Sequence, residues 1–265
     1  MTGLIAPRVF CVGTHHKTGT LWMRATFRRI ATTLGVEKRV VFPSTRKPLP
    51  EAERIFLFSW SSTFADDLLA RPDARILHVI RDPRDVLLSG MRYHLHAPAE
   101  GEQFLHVARD DLGGLTYQQH LNALPDDVAR LRFEMAEKHA QTLAEMTAWD
   151  YARPNGIETR YEELIADTDC RLFREHLRDL GLPEPEVETG VQIFWNNALF
   201  GGLARSEDRI ERVAKHVASG RAAQWRTRLP RALAEDYAER YGADLVTLGY
   251  EDHPTRWLQE VKDAA

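Results

Sequence analysis

Residues 9–23 read VFCVGTHHKTGTLWM, and the order of residue types in this stretch decides the fold. An apolar run over 9–13 stops at Gly13, Lys17-Thr18-Gly19-Thr20 follows as a small-residue loop with one cation, and Trp22 and Met23 open an amphipathic stretch. Strand, tight loop and helix in that order make an anion cradle. Backbone N–H groups at the helix start point at a phosphate or sulfate, the helix dipole favours its negative charge, and Lys17 adds a point charge. The common nucleotide P-loop reads G-x-x-x-x-G-K-[ST], with its lysine after the second glycine. Here Lys17 precedes Gly19, so the loop is not a Walker A sequence.

Outward from this loop, the 265-residue length suits one large α/β domain or at most two small ones, and residues 1–265 are read as a single domain. With 43% hydrophobic and 28% charged residues, the composition is that of a globular protein and excludes disordered and collagen-like classes. A net charge of −4 gives no general electrostatic reason to expect nucleic acid, so an anion site must be a local concentration of basic groups. Cys11 and Cys170 are too few for a disulfide framework or a cysteine-based metal site, and Cys11 reads as a small core residue. No run approaches the roughly 18 apolar residues of a membrane span, and the N-terminus lacks a signal-peptide pattern. The expectation is a cytoplasmic protein with no membrane, nucleic-acid or metal partner; oligomeric state is not encoded in any pattern of the chain.

The pattern predicts strands at 9–13, Arg39–Phe42, Arg54–Ser59, Arg75–Ile80 and Ile157–Tyr161. It predicts helices over 19–34, from Thr63 with Asp66 as capping partner, from Pro83 with Asp82 as N-cap, over Pro125–Trp149 and over Arg171–Leu180. Residues 95–124 read as an irregular surface excursion, and 186–250 as mostly helical with breaks at Gly201-Gly202 and Ser219-Gly220. Strands alternating with helices imply a mainly parallel central sheet flanked by helices, with ligands beyond the strand C-terminal ends. The Lys17 loop and the turn at Arg81 both fall at such ends.

The second informative segment is RILHVIRDPRDVLLSG, residues 75–90. Arg81 leaves a strand, and Ser89 lies eight residues on, about two turns into the next helix. An arginine fork and a hydroxyl at that interval suit the oxygens of a second phosphate.

With these two segments the chain resembles the sulfotransferases that use 3′-phosphoadenosine 5′-phosphosulfate (PAPS). Their first motif, close to P-K-[ST]-G-T-[TN]-W, stands here as His16-Lys17-Thr18-Gly19-Thr20-Leu21-Trp22. Their R-D-P-[RK]-D with a following serine stands as Arg81-Asp82-Pro83-Arg84-Asp85 and Ser89, and their [KR]-Y-E-[DE]-[LM] as Arg160-Tyr161-Glu162-Glu163-Leu164. A late R-K-G-x-x-G-x-W element is represented by Ala218-Ser219-Gly220-Arg221-Ala222-Ala223-Gln224-Trp225. The matches keep the family's order and span residues 10–226.

The resemblance implies a P-loop-like α/β sulfotransferase architecture and PAPS as donor. It implies that Lys17 contacts the 5′-phosphosulfate and stabilises charge on the oxygen between phosphorus and sulfur. Thr18, Gly19, Thr20 and Leu21 would cradle the 5′-phosphate, Trp22 would pack on the adenine, and Tyr161 would reach its polar edge. Arg81 and Ser89 would bind the 3′-phosphate, with Ser89 also engaging Lys17. His15 and His16, in the cradle loop, would help neutralise or orient the donor. Two positions depart from the family. Ala218-Ser219 replaces an Arg-Lys pair, leaving Gly220 in register and Arg221 as the substitute cation. The segment Phe58–Thr63 (FSWSST) lacks the histidine that many members use as general base.

An acceptor hydroxyl needs a proton acceptor within hydrogen-bond reach. His94, five residues after Ser89, is the preferred base, with His96 beside it and Glu51 as a carboxylate rival. Non-functional roles stay open: a salt bridge for Arg81, helix packing for Ser89, a half-buried strand position for Tyr161, solvated charge for Arg221, and core or pocket lining for Trp60, Trp149 and Trp195. The expected activity is sulfuryl transfer from PAPS to a hydroxyl or amine of a small-molecule or glycan acceptor, releasing adenosine 3′,5′-bisphosphate. The alternatives are a P-loop kinase-like phosphotransferase and a catalytically inactive nucleotide-binding relative.

Overall fold

The computed structural model describes residues 6–42, 49, 52–99, 102–202 and 221–262. In chain order the elements are β1 (Val9–Thr14), α1 (Thr20–Thr33), β2 (Glu37–Val40), β3 (Ile55–Ser59), α2 (Asp66–Leu69), β4 (Ala74–Ile80) and α3 (Pro83–His94). Next come α4 (Tyr117–Ala123), α5 (Asp127–Ala136), α6 (Lys138–Thr147), β5 (Gly156–Arg160), α7 (Tyr161–Ala166), α8 (Arg171–Asp179) and α9 (Glu184–Asn197). Helices at Trp225–Arg228 and Arg231–Thr247 and a 3-10 helix at Arg256–Glu260 complete the described chain. These elements gather into two compact units, one from the described parts of Met1–Arg81 and Ala148–Lys215, the other from those of Asp82–Thr147 and His216–Ala265.

The first unit contains the sheet, five strands in the order β2-β3-β1-β4-β5. Every pairing is parallel, as alternation of strand and helix requires. On one face Phe10, Val12, Phe56, Phe58, Leu77 and Val79 meet α1, α8 and α9. Met23, Phe27 and Ile30 of α1 recur at helical spacing and are fully buried, each such side chain contributing about 1.5–3 kcal/mol relative to exposure. Phe173 of α8 stacks on Phe194 of α9 at 3.9 Å. On the other face Val9, Cys11, Ile55, Leu57 and Ile76 pack with Phe64, Leu68 and Leu69. The second unit is helical, around Leu87, Met91, Leu121, Leu131, Met135, Leu233, Tyr237 and Trp257.

Several boundaries differ from the sequence expectation. The edge strand β2 starts two residues earlier, because Glu37–Val40 match Ile55–Phe58 in register. Thr63 does not open a helix: its N–H donates to Ser59 Oγ at the end of β3, and α2 starts at Asp66 with Ala65 at the N-cap. The 95–124 excursion contains α4, closed at its start by a Thr116–Gln119 capping box. The helix expected over 125–149 is two, broken at Glu137 (φ −107°, ψ −108°), whose carboxylate takes an N–H from Arg109 at 2.7 Å. Tyr161 is the first residue of α7, not the last of a strand. The expected break at 219–220 lies outside the described residues. No helix among the described residues is long and apolar enough to cross a membrane.

Candidate active site

The loop after β1 is built around the backbone of His15. Its carbonyl accepts from Thr18 N–H (3.2 Å), Thr18 Oγ1 (3.0 Å) and Thr20 Oγ1 (2.7 Å). Its N–H donates to Thr18 Oγ1 at 2.9 Å. Thr18 is fully buried, with its hydroxyl also within 3.2 Å of the Val79 carbonyl. Its N–H and hydroxyl are therefore spent inside the loop, so Thr18 shapes the cradle where the resemblance had it touch the phosphate. Lys17 holds a left-handed backbone (φ +64°), and Gly19 at φ +97° caps α1. A Cβ on Gly19 would lie 3.0 Å from the Tyr161 ring, so both conformation and space select glycine there. The first N–H groups of α1, from Thr20 and Leu21, have no acceptor within the helix and form the donor end of the cradle.

Three sequence motifs of the first unit converge on this loop. The Arg81 guanidinium donates to the Lys17 carbonyl at 3.1 Å and lies 4.6 Å from the centre of the Tyr161 ring. Trp22, in the first turn of α1, meets Tyr161 edge-on at 6.4 Å, stacks on Phe194 at 4.9 Å and touches Phe200 edge-on at 6.3 Å. The Trp22 indole N–H is buried without an acceptor among the described residues. A buried donor left this way costs about 1–3 kcal/mol, which a ligand acceptor recovers. His16 and Lys17 are half-buried and Leu21 is exposed at the helix start. The Phe58–Thr63 segment holds no histidine: Trp60 stacks on Phe58 at 5.8 Å with Arg24 over its ring, and Ser62 Oγ donates to the Thr14 carbonyl at 3.2 Å.

In the second unit Asp82-Pro83-Arg84-Asp85 caps α3 as expected: Asp82 is the N-cap, accepts from Arg84 N–H at 3.0 Å, and Pro83 occupies the first turn. Asp82 also receives the Trp225 indole N–H at 3.0 Å, and Asp85 the Trp225 backbone N–H at 3.1 Å. The late motif is thus latched to the second motif through its tryptophan, while Arg84 lies 3.8 Å from the Trp225 ring centre. Ser89 is half-buried on α3, and Arg221 is exposed with its carbonyl accepting from Gln224. Gly220 and Glu51 lie outside the described residues.

His94, the expected base, lies in the interior of the second unit. Its ring is fully buried, with Nδ1 2.7 Å from Glu134 Oε2, the same oxygen that takes the Tyr117 hydroxyl at 2.7 Å. Phe104 and Tyr117 pack edge-on against it at 5.4 and 5.6 Å. The ring is closed from solvent, with its Nδ1 committed to the Glu134 carboxylate. Spacing from Ser89 had suggested it because position on a helix says nothing about which neighbour fills the space around a side chain.

A second histidine chain escaped the sequence reading. His15 Nε2 lies 2.9 Å from His78 Nε2, and His78 Nδ1 lies 2.6 Å from Glu158 Oε2. The Trp149 indole donates to Glu158 Oε1 at 2.7 Å and stacks on His78 at 4.3 Å. His78 interrupts the apolar run RILHVI, and that interruption was the available signal; Glu158 becomes its partner only through the β4–β5 register.

No protein-family model matches the chain, and no curated protein does. Among solved structures, retinol dehydratase in a complex with retinol and PAP aligns with TM-score 0.52 and 13% identity, covering 91% of this chain and 82% of that one. The same protein with androsterone and inactive cofactor PAP aligns with TM-score 0.51 and 12% identity, over 91% and 81%. Mouse sulfotransferase SULT7A1 with PAP aligns with TM-score 0.48 and 14% identity, over 90% and 84%. The two retinol dehydratase alignments establish the architecture: the chain shares that α/β fold over 91% of its length.

Proposed function

We propose that the protein is a PAPS-dependent sulfotransferase that moves a sulfuryl group to a hydroxyl or amine of a small-molecule or glycan acceptor and releases adenosine 3′,5′-bisphosphate (PAP). The observation that carries this reading is the convergence of Lys17, Arg81 and Tyr161 on one loop, through the 3.1 Å bond from Arg81 to the Lys17 carbonyl. Two cations, a helix start and an aromatic shelf then share a single cradle, as a nucleotide with separate anionic groups demands. The buried indole N–H of Trp22 supports adenine, whose ring nitrogens are acceptors.

In this reading the N–H groups of Gly19, Thr20 and Leu21 hold the 5′-phosphate, with His16 at the loop entrance. Lys17 stabilises negative charge on the oxygen that leaves sulfur, and Arg81 takes the 3′-phosphate. The acceptor oxygen or nitrogen attacks sulfur in line while the S–O bond to the nucleotide breaks, so positioning and charge stabilisation do most of the work. One domain over residues 1–265 and a cytoplasmic setting are part of the proposal; two free, buried cysteines suit a reducing compartment.

Calorimetry with PAP against ATP and magnesium tests it. Micromolar PAP binding with no ATP preference is the expected result; preference for magnesium-ATP would turn the reading to a kinase. Slow hydrolysis of labelled PAPS, lost in Lys17→Ala, separates an active enzyme from an inactive nucleotide binder.

A further inference from the structure

We infer that His78 and Glu158 are positioning residues for the donor cradle, acting through His15; the inference rests on the PAPS reading above. His15 is the residue on which the loop is organised, since its N–H and carbonyl make all four bonds to Thr18 and Thr20. Its ring is fully buried and set edge-on to His78, at 5.1 Å and 83°. The conformation so held includes the left-handed backbone of Lys17. A non-glycine residue stays in that region only when its surroundings over-determine it.

Proton counting orders the chain. An ionised Glu158 is acceptor-only, so the hydrogen in the 2.6 Å contact sits on His78 Nδ1, and the Trp149 N–H occupies the other oxygen. His78 Nε2 then carries a lone pair when the ring is neutral, and the hydrogen in the 2.9 Å contact belongs to His15 Nε2. The carboxylate on edge strand β5 thereby sets the tautomer and orientation of a ring on the central strand's loop. Such a carboxylate–imidazole hold is how proteins fix histidines that must not rotate. Glu158 retains 31% of its side-chain exposure, whereas His78 and His15 are closed from solvent, so the chain is anchored at its wet end and acts at its dry one.

Glu158→Gln tests this in the full-length protein. An amide has one acceptor oxygen where the carboxylate has two, so it must drop either His78 or Trp149. The expected result is about a tenfold weaker PAP affinity, with PAPS hydrolysis at saturating donor within twofold of the parent and a displaced His78 Nδ1–H resonance in spectra of 15N-histidine protein. A purely structural residue would not separate affinity from turnover in this way. Trp149→Phe keeps the stacked ring and removes one donor; about a threefold loss is expected, and it serves if Glu158→Gln does not fold. Unchanged PAP affinity in a variant whose His78 resonance has moved overturns the inference and leaves the PAPS reading intact. Absence of PAP binding in the parent protein overturns both.

Discussion

Two histidine–glutamate pairs of nearly equal geometry sit in different units and serve different ends. His78 meets Glu158 at 2.6 Å, and His94 meets Glu134 at 2.7 Å. Glu134 is 1% exposed, and the groups around it close the bonding inward: Tyr117 and His94 share one oxygen, and a Cβ on Gly90 would fall 2.7 Å from the other. Burial and then the Glu134 charge push the Tyr117 phenol far above its ordinary value, so it stays a donor. Glu158 is half-exposed and its bonding runs outward, through His78 to His15 and the Lys17 loop. Pair geometry therefore does not reveal function. What separates the two is the exposure of the carboxylate and the onward contact from His78 to His15.

The largest expected effect breaks the sealed pair. Glu134→Ala leaves a buried imidazole and a phenol without their acceptor and is expected to cost about 3–5 kcal/mol in urea unfolding, while the folded fraction binds PAP within twofold of the parent. An equal loss of PAP affinity would erase the contrast. Next comes the loop that the other chain serves: Lys17→Ala is expected to lower PAPS turnover about a hundredfold, ~2.7 kcal/mol of transition-state stabilisation, with the melting temperature within a few degrees.

Another buried histidine sharpens the comparison because its described partner is a hydroxyl. His139 Nε2 faces the Tyr237 hydroxyl at 3.0 Å, and burial lowers its pKa to about 3. Its folded value lies below its unfolded one, so its contribution is complete above about pH 6.5 and is lost as pH falls toward 3. Between pH 7 and 5 this removes about 2 kcal/mol, and His139→Gln should flatten that slope in denaturant titrations. The smallest effect is Gly19→Ala, about 1–2 kcal/mol for the left-handed backbone, read as a lower melting temperature with several-fold weaker PAP binding as the new methyl presses on Tyr161.

Much of the architecture was legible along the chain. Lys17, Gly19 and Trp22 lie within six residues, and a strand–loop–helix is set by contacts of that range. Asp82 and Pro83 announced the start of α3 because capping is likewise local. The break at Glu137 was not legible, since the residues on either side continue the helical spacing and the kink is accompanied by a bond from Arg109, 28 positions away. For the same reason the resemblance alone made Thr18 a phosphate ligand, and only the folded loop turns its hydroxyl onto His15 and Val79.

Local patterning settled the alternation of strand and helix, the parallel sheet and the position of the anion cradle, because hydrophobic period, turn chemistry and capping all act within a few residues. Tertiary structure alone decided which polar side chains meet. Arg81 reaches the Lys17 carbonyl across 64 positions, His78 reaches Glu158 across 80, and His94 is withdrawn into a core by Glu134 at 40. A buried polar group goes wherever the fold supplies its partner, and that partner is fixed by strand register and helix packing, neither of which is written in the residues around the group.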